Sequence, residues 1–235
     1  MLPMSGPSGT ERMYMISDLE RFLAQARGAV GTAAAKLVHV DHLVQAETRA
    51  AWELNNLRGR LVELSARGAT ATLTAAVELV VEAQTQAEPV AWIAPTAGTF
   101  YPPDVAESGV DLAALVVVRV RDAIASARVA ERLLRSGAFG LIVIDLCAPS
   151  GGSAELATAI QGRLVTLAQT HDAAIVCITD KTAETASLGS LVSLRAEALR
   201  LRDREDVTVT VRALKDKRRG PGWEKSVKKR LPAGL

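Results

Sequence analysis

The chain has 235 residues with 49% hydrophobic and 23% charged residues, the balance expected of one soluble globular domain and not of a disordered or fibrous chain. Its two cysteines, Cys147 and Cys177, each lie at or just past the end of an apolar run, where buried reduced thiols are ordinary, so neither a disulfide nor a catalytic thiol is expected. The formal net charge of +2 hides nine Lys and Arg in residues 212–230 against Asp216 and Glu224, and no apolar run approaches the ~20 residues needed to span a bilayer, which points to a cytoplasmic, non-membrane protein.

Residues 1–15 are rich in Gly, Pro, Ser and Met without periodicity and are expected to be disordered. A helix is predicted from Ser17, because Ser17 and Glu20 form a capping-box pair and Leu19, Phe22, Leu23 and Ala26 share one apolar stripe; Gly28 and Gly31 end it. Residues 36–40 read as a short strand, so 16–45 is expected to form a helix-strand arm with Leu19, Phe22 and Leu23 as its partner-binding residues. His39, Asp41 and His42 are the one cluster with metal-ligand residue types, and with no cysteine nearby no metal site is expected.

From residue 60 onward short β-rich runs alternate with helical segments, the pattern of a parallel sheet with crossover helices. Strands are predicted at 61–65, 90–94, 115–120, 141–145 and 174–178, and helices at 69–86, 122–136 and 154–170. Near-continuous apolar runs such as Leu141-Ile142-Val143-Ile144 suit strands covered on both faces, whereas 191–200 and 207–214 alternate apolar with polar residues as half-exposed antiparallel strands do. The expected fold is therefore α/β: a core over 46–220 of mostly parallel sheet flanked by helices and finished by antiparallel edge strands, with 221–235 as a basic tail.

In such a sheet ligands bind beyond the carboxyl ends of the strands, which directs attention to the turn after the first strand. Gly59-Arg60-Leu61-Val62-Glu63-Leu64 resembles the strand that precedes the phosphate loop of RecA recombinases. A phosphate loop needs G-x-x-x-x-G-K-[ST], with glycines that open backbone N–H groups to phosphate and a Lys that meets the β and γ oxygens. Here Arg67, Gly68 and Thr70 mark its vestige: the lysine is missing and the turn is about two residues short. Arg67 precedes the turn, and its planar guanidinium is no simple substitute for an ammonium.

The likeness continues through Val90-Ala91-Trp92-Ile93, Tyr101-Pro102-Pro103 and Ser108-Gly109-Val110-Asp111, similar to the second RecA strand and the helix after it. Where the resemblance places a water-activating glutamate stand Pro95, Thr96 and Ala97, none of which serves as a base. Asp145, at the end of its apolar run, resembles the magnesium-directing Walker B aspartate, though a strand-ending Asp is also an ordinary turn residue. Asp180 occupies the place of a γ-phosphate-sensing glutamine, and a carboxylate there repels phosphate. The connections at 146–153 and 181–189, where RecA carries its DNA-binding loops, are short, and Val211 to Lys217 resembles the strand whose two lysines reach a neighbour's nucleotide.

Together these segments, with Ser136-Gly137-Ala138, are most similar to the ImuA family of RecA-like proteins. That resemblance implies a damage-inducible mutagenesis cassette, beside ImuB and a specialised replicative-type DNA polymerase subunit, acting with RecA in translesion synthesis during the SOS response. The implied function is non-enzymatic and needs no cofactor: an adaptor or regulator that binds RecA or ImuB and, docking head to tail on a RecA subunit, caps or inhibits its filament. Two other readings stand beside it. One is a SulA-type cell-division inhibitor that binds FtsZ. The other is direct binding of single-stranded DNA, or of an acidic partner, through Lys215, Lys217, Arg218, Arg219, Lys225, Lys228, Lys229 and Arg230, with Trp223 stacked on a base; alternatively Trp223 covers the core and the lysines only solubilise.

Overall fold

The computed structural model of the protein describes residues 52–68, 70–97, 100–148, 151–203 and 206–230. All belong to the second of two compact units, Met1–Glu47 and Thr48–Leu235. The expected disordered segment, the helix-strand arm, its Leu19, Phe22 and Leu23, and the His39, Asp41, His42 cluster lie outside the described residues.

Eight strands form one sheet: β1 (Arg60–Ser65), β2 (Val90–Pro95), β3 (Leu115–Val120), β4 (Leu141–Asp145), β5 (Ala174–Thr179), β6 (Leu194–Asp203), β7 (Asp206–Asp216) and β8 (Glu224–Arg230). Their spatial order is β3-β2-β4-β5-β1-β6-β7-β8, with β1 to β5 mutually parallel and β7 antiparallel to both β6 and β8. The expected α/β class, mostly parallel sheet and antiparallel end are therefore present. One assignment changes: β6, expected as half of an antiparallel edge, runs parallel to β1 on one side and antiparallel to β7 on the other.

The apolar alternation of the central strands sorts the core into two layers. Val62, Leu64, Trp92, Val143 and Val176 join the cluster under α1 (Leu54–Leu57) and α2 (Thr72–Thr85), while Leu61, Ile93, Ile142, Ile144 and Ile175 join the one under two later helices, α4 (Ala123–Arg135) and α5 (Thr158–Thr170). Between β2 and β3 lie the short α3 (Pro102–Glu107) and a 3-10 turn at Leu112–Ala114. In α2 the buried positions Ala75, Ala76, Leu79, Val80 and Ala83 recur at three- and four-residue spacing and form one stripe. In α4 the Asp122 carboxylate accepts the Ala125 N–H at 2.7 Å, and Gly137, at φ 67°, provides the left-handed turn that ends the helix.

Two helices start later than their residue types suggest, for reasons of competition. The predicted 69–86 helix begins at Thr72, because the Ala71 N–H donates to the Ala198 carbonyl and Thr70 bridges to Leu199, which ties the preceding residues to the sheet. The predicted 154–170 helix begins at Thr158, since the Ala154 N–H is committed to the Leu146 carbonyl.

Residues 221–235, expected as a basic tail separate from the core, are corrected in part: Glu224–Arg230 is β8, paired with β7 from Asp206↔Arg230 to Arg212↔Glu224. Only Val227 breaks the polar run of that strand, so its period-two signal is one residue deep. Among the described residues no helix is long and apolar enough to cross a membrane.

Candidate functional site

The carboxyl ends of β1, β2, β4 and β5 border a cleft of about 550 Å3, walled by the start of α2 and by α3. With α2 on one face of the sheet and α4 and α5 on the other, the outgoing connections diverge above the strand ends, which is where doubly wound sheets form ligand crevices.

Arg67, Gly68 and Thr70, expected to mark the remnant of a phosphate loop, reach this end of the sheet and serve different ends. Arg67 turns to Asp180, with Nε 3.1 Å from Oδ1, while the Gly152 N–H donates to Oδ2 at 2.8 Å. The Arg67 hydrogen bond first, and the Gly152 N–H second, hold the Asp180 carboxyl below its usual range. Arg67 and Asp180 are thus paired with each other across the ends of β1 and β5. Gly68 has a positive φ of 84° and open space where a side chain would project, so it serves the turn without a close approach. Thr70 Oγ1 accepts the Thr72 N–H at 3.2 Å and lies 3.0 Å from Thr72 Oγ1, so its hydroxyl takes up a donor at the first turn of α2.

Asp145 ends β4 on the wall of the cleft at 4% exposure, and its Oδ1 accepts the Cys147 N–H at 2.9 Å. Burial pushes its carboxyl up, against the opposing pull of the Cys147 hydrogen bonds and the Arg119 charge. Pro95, the last residue of β2, and Thr96 after it offer no carboxylate; the Thr96 hydroxyl is spent on the Val120 carbonyl at 3.0 Å. Compared with protein-family models and with curated proteins, the sequence matches none. Functional assignment therefore rests on these residues and their geometry.

The basic residues expected to bind nucleic acid divide into two groups, and none of those described joins the cleft. Lys215, Lys217, Arg218 and Arg219 gather near the amino ends of β1 and β6, where they reach the carbonyls of Gly189, Ser190 and Arg58 and the Asn56 side chain. Lys225 and Lys228 lie on β8: the first donates to the Trp52 carbonyl at 3.2 Å and the second pairs with Asp206 at 2.6 Å. Lys229 and Arg230 belong to the same strand, but their side chains lie outside the described residues. Trp223 packs half-buried on the core and its indole N–H donates to Asp216 Oδ2 at 3.0 Å, so its ring is engaged from within.

Two buried charge clusters were not singled out by residue type. Arg60 and Asp216 meet at 2.6 Å with side chains 2% and 1% exposed, and Glu63 is fully buried beside Lys181 and Arg195. The available signal was a charged residue inside a strand otherwise read as buried on both faces. Neither thiol is activated: burial, then the Asp145 carboxylate, pushes Cys147 up to about 12, and burial raises Cys177 as well. Ellman's reagent at about pH 8 is therefore expected to label neither thiol in the native protein and both after unfolding, since the thiolate is the reactive form.

Proposed function

We propose that the chain is a non-hydrolysing, RecA-like adaptor or regulator of SOS-induced mutagenic translesion synthesis that binds RecA, ImuB or the accompanying polymerase subunit. The observation that carries its partner-binding character is the edge strand β3. It ends the sheet among the described residues, and Val116 and Val117 are 43% and 38% exposed, with Leu112 and Ile124 exposed nearby in sequence. An edge strand that presents adjacent valines, with its one charge, Arg119, drawn to the Phe100 carbonyl, is a template for another chain. The opposite edge, β8, carries Lys225, Lys228 and Lys229, the side-chain type that blunts such pairing.

Absence of hydrolysis is supported by the missing loop lysine, by the Arg67–Asp180 pair and by Pro95, Thr96 and Ala97 where a general base would stand. Pull-down by purified RecA and ImuB, with titration into a RecA filament assay, tests the reading. Capture by at least one of the two and a shortened filament are expected without nucleotide bound to this chain, and Val117→Lys should weaken both by at least about tenfold, the size of one small buried apolar contact exchanged for a charge. Capture of FtsZ in their place would move the assignment to cell-division control, and ATP turnover abolished by Asp145→Ala would overturn it.

A further inference from the structure

The cleft above β4 has the wrong charge for a phosphate ligand. Asp104, Asp145 and Asp180 line it, Arg200 is the single cation among the described lining residues, and Arg67, nearby, is already bound to Asp180. Two donors at the start of α2 are also committed, the N–H of its cap residue Ala71 to Ala198 and the Thr72 N–H to Thr70.

Asp145 is the buried member of that set. Its donors are the Cys147 N–H and thiol, both neutral, and among the described residues no Lys, Arg or His lies within ion-pair distance of it. Arg119, the charge that acts on it from farther away, is held by the Phe100 carbonyl at 2.9 Å and sits 5.6 Å over the Phe100 ring. A buried carboxylate without a counter-ion is costly and favours a cation from outside. A second polar group lies unsatisfied behind the wall: Trp92 is fully buried and its indole Nε1, closed to solvent, has no acceptor among the described residues. Such orphaned donors are uncommon and call for an explanation.

The remaining wall is apolar and aromatic. Trp92 and Phe100 pack with ring centroids 5.0 Å apart, and Leu73, Val77 and Ile178 extend that surface. A cleft of about 550 Å3 lies within the range that takes a small organic molecule. Among the described residues no group of three or more His, Cys, Asp or Glu could hold a metal, which favours an organic cation over an inorganic one.

We propose that this cleft binds a small organic cation, an amine, amidine or guanidine that pairs with Asp145 and lays an apolar, flat body against Phe100, Leu73 and Val77. The proposal stands apart from the adaptor reading, because an unfilled cleft leaves contact with RecA or ImuB untouched.

Titration of the full chain with p-aminobenzamidine, whose fluorescence rises in apolar surroundings, tests it. Saturable enhancement is expected, with affinity lowered at least about tenfold by Asp145→Asn, the loss of one charge-assisted hydrogen bond. Leu73→Trp, which adds bulk at a partly exposed lining position and leaves the Asp145 carboxylate in place, should abolish binding and keeps the test decisive if Asp145→Asn does not fold. The anionic isostere p-aminobenzoate should give no enhancement. No saturable enhancement with the unsubstituted chain, binding that survives Leu73→Trp, or equal binding of p-aminobenzoate would overturn the proposal. Stoichiometric displacement of the probe by magnesium would do the same, by assigning Asp145 to a metal.

Discussion

Asp216→Ala is expected to lower the unfolding free energy by about 3–5 kcal/mol, the cost of leaving a buried cation without its partner. Asp216 Oδ1 meets Arg60 at 2.6 Å and accepts the Arg218 N–H at 2.9 Å, while Oδ2 accepts the Trp223 indole at 3.0 Å. Arg60 continues to Ser193, with Nε 2.9 Å from the hydroxyl and a terminal nitrogen 3.0 Å from the carbonyl. One carboxylate therefore joins β1, the entry to β6, the end of β7 and the turn into β8. Arg60, always protonated in practice, cannot shed its charge when that carboxylate is removed.

The same carboxyl sets a pH dependence. Burial alone would raise it, but the Arg218 N–H, the Trp223 indole and Arg60 together hold it below its usual range. Its contribution is complete above the unfolded value of about 3.9 and is lost as pH falls through the lower folded value. Urea unfolding at neutral pH and at about pH 3 should show the gap between Asp216→Ala and the unsubstituted chain narrowing in acid. Tryptophan emission gives a local readout, since Trp52 and Trp92 are buried and Trp223 is the half-exposed one. A red shift in Asp216→Ala that is absent in a Trp223→Phe background assigns the loosening to the β7–β8 turn; an unchanged midpoint would rule out the network as a main stabiliser.

The elements legible in the sequence were those with a continuous apolar run, whether buried as in Leu141–Asp145 or half-exposed at the sheet edge as in Leu115–Val120. Leu115–Val120 and Leu141–Asp145 have the bounds expected of them, because long apolar runs leave little choice of period or end. Ends set by one distant hydrogen bond were not legible: no local residue type announces that the Ala71 N–H will serve Ala198 and delay α2. The turn after β1 is similar. Its missing lysine is read directly, but the pairing of Arg67 with Asp180, 113 positions apart, requires β1 and β5 to be neighbours. The basic segment shows the converse limit. Counting charge located it, yet the count could not show that Lys217, Arg219, Lys225 and Lys228 each have a partner within the chain.

Glu63→Ala should cost a similar amount, about 3–5 kcal/mol, and should act on a different part of the molecule. The Glu63 side chain is fully buried on β1, where Oε1 accepts the Thr179 hydroxyl at 3.1 Å and Oε2 accepts the Leu188 N–H at 2.9 Å. Lys181 Nζ lies 3.5 Å from Oε1, and Arg195 Nε 3.9 Å from Oε2. Arg195 then donates to the carbonyls of Thr182 and Thr185, so a single carboxylate organises both ends of the connection that follows β5. Without it, two cations and an amide lose their shared acceptor in a site closed to water. Hydrogen exchange should show the Leu188 amide losing protection well before the amides of β4, while Glu63→Gln, which keeps an acceptor, should preserve part of that protection at a reduced midpoint. Equal protection at Leu188 in Glu63→Ala and the unsubstituted chain would mean that Gln161, whose amide nitrogen also holds the Leu188 carbonyl at 2.9 Å, is the anchor that matters.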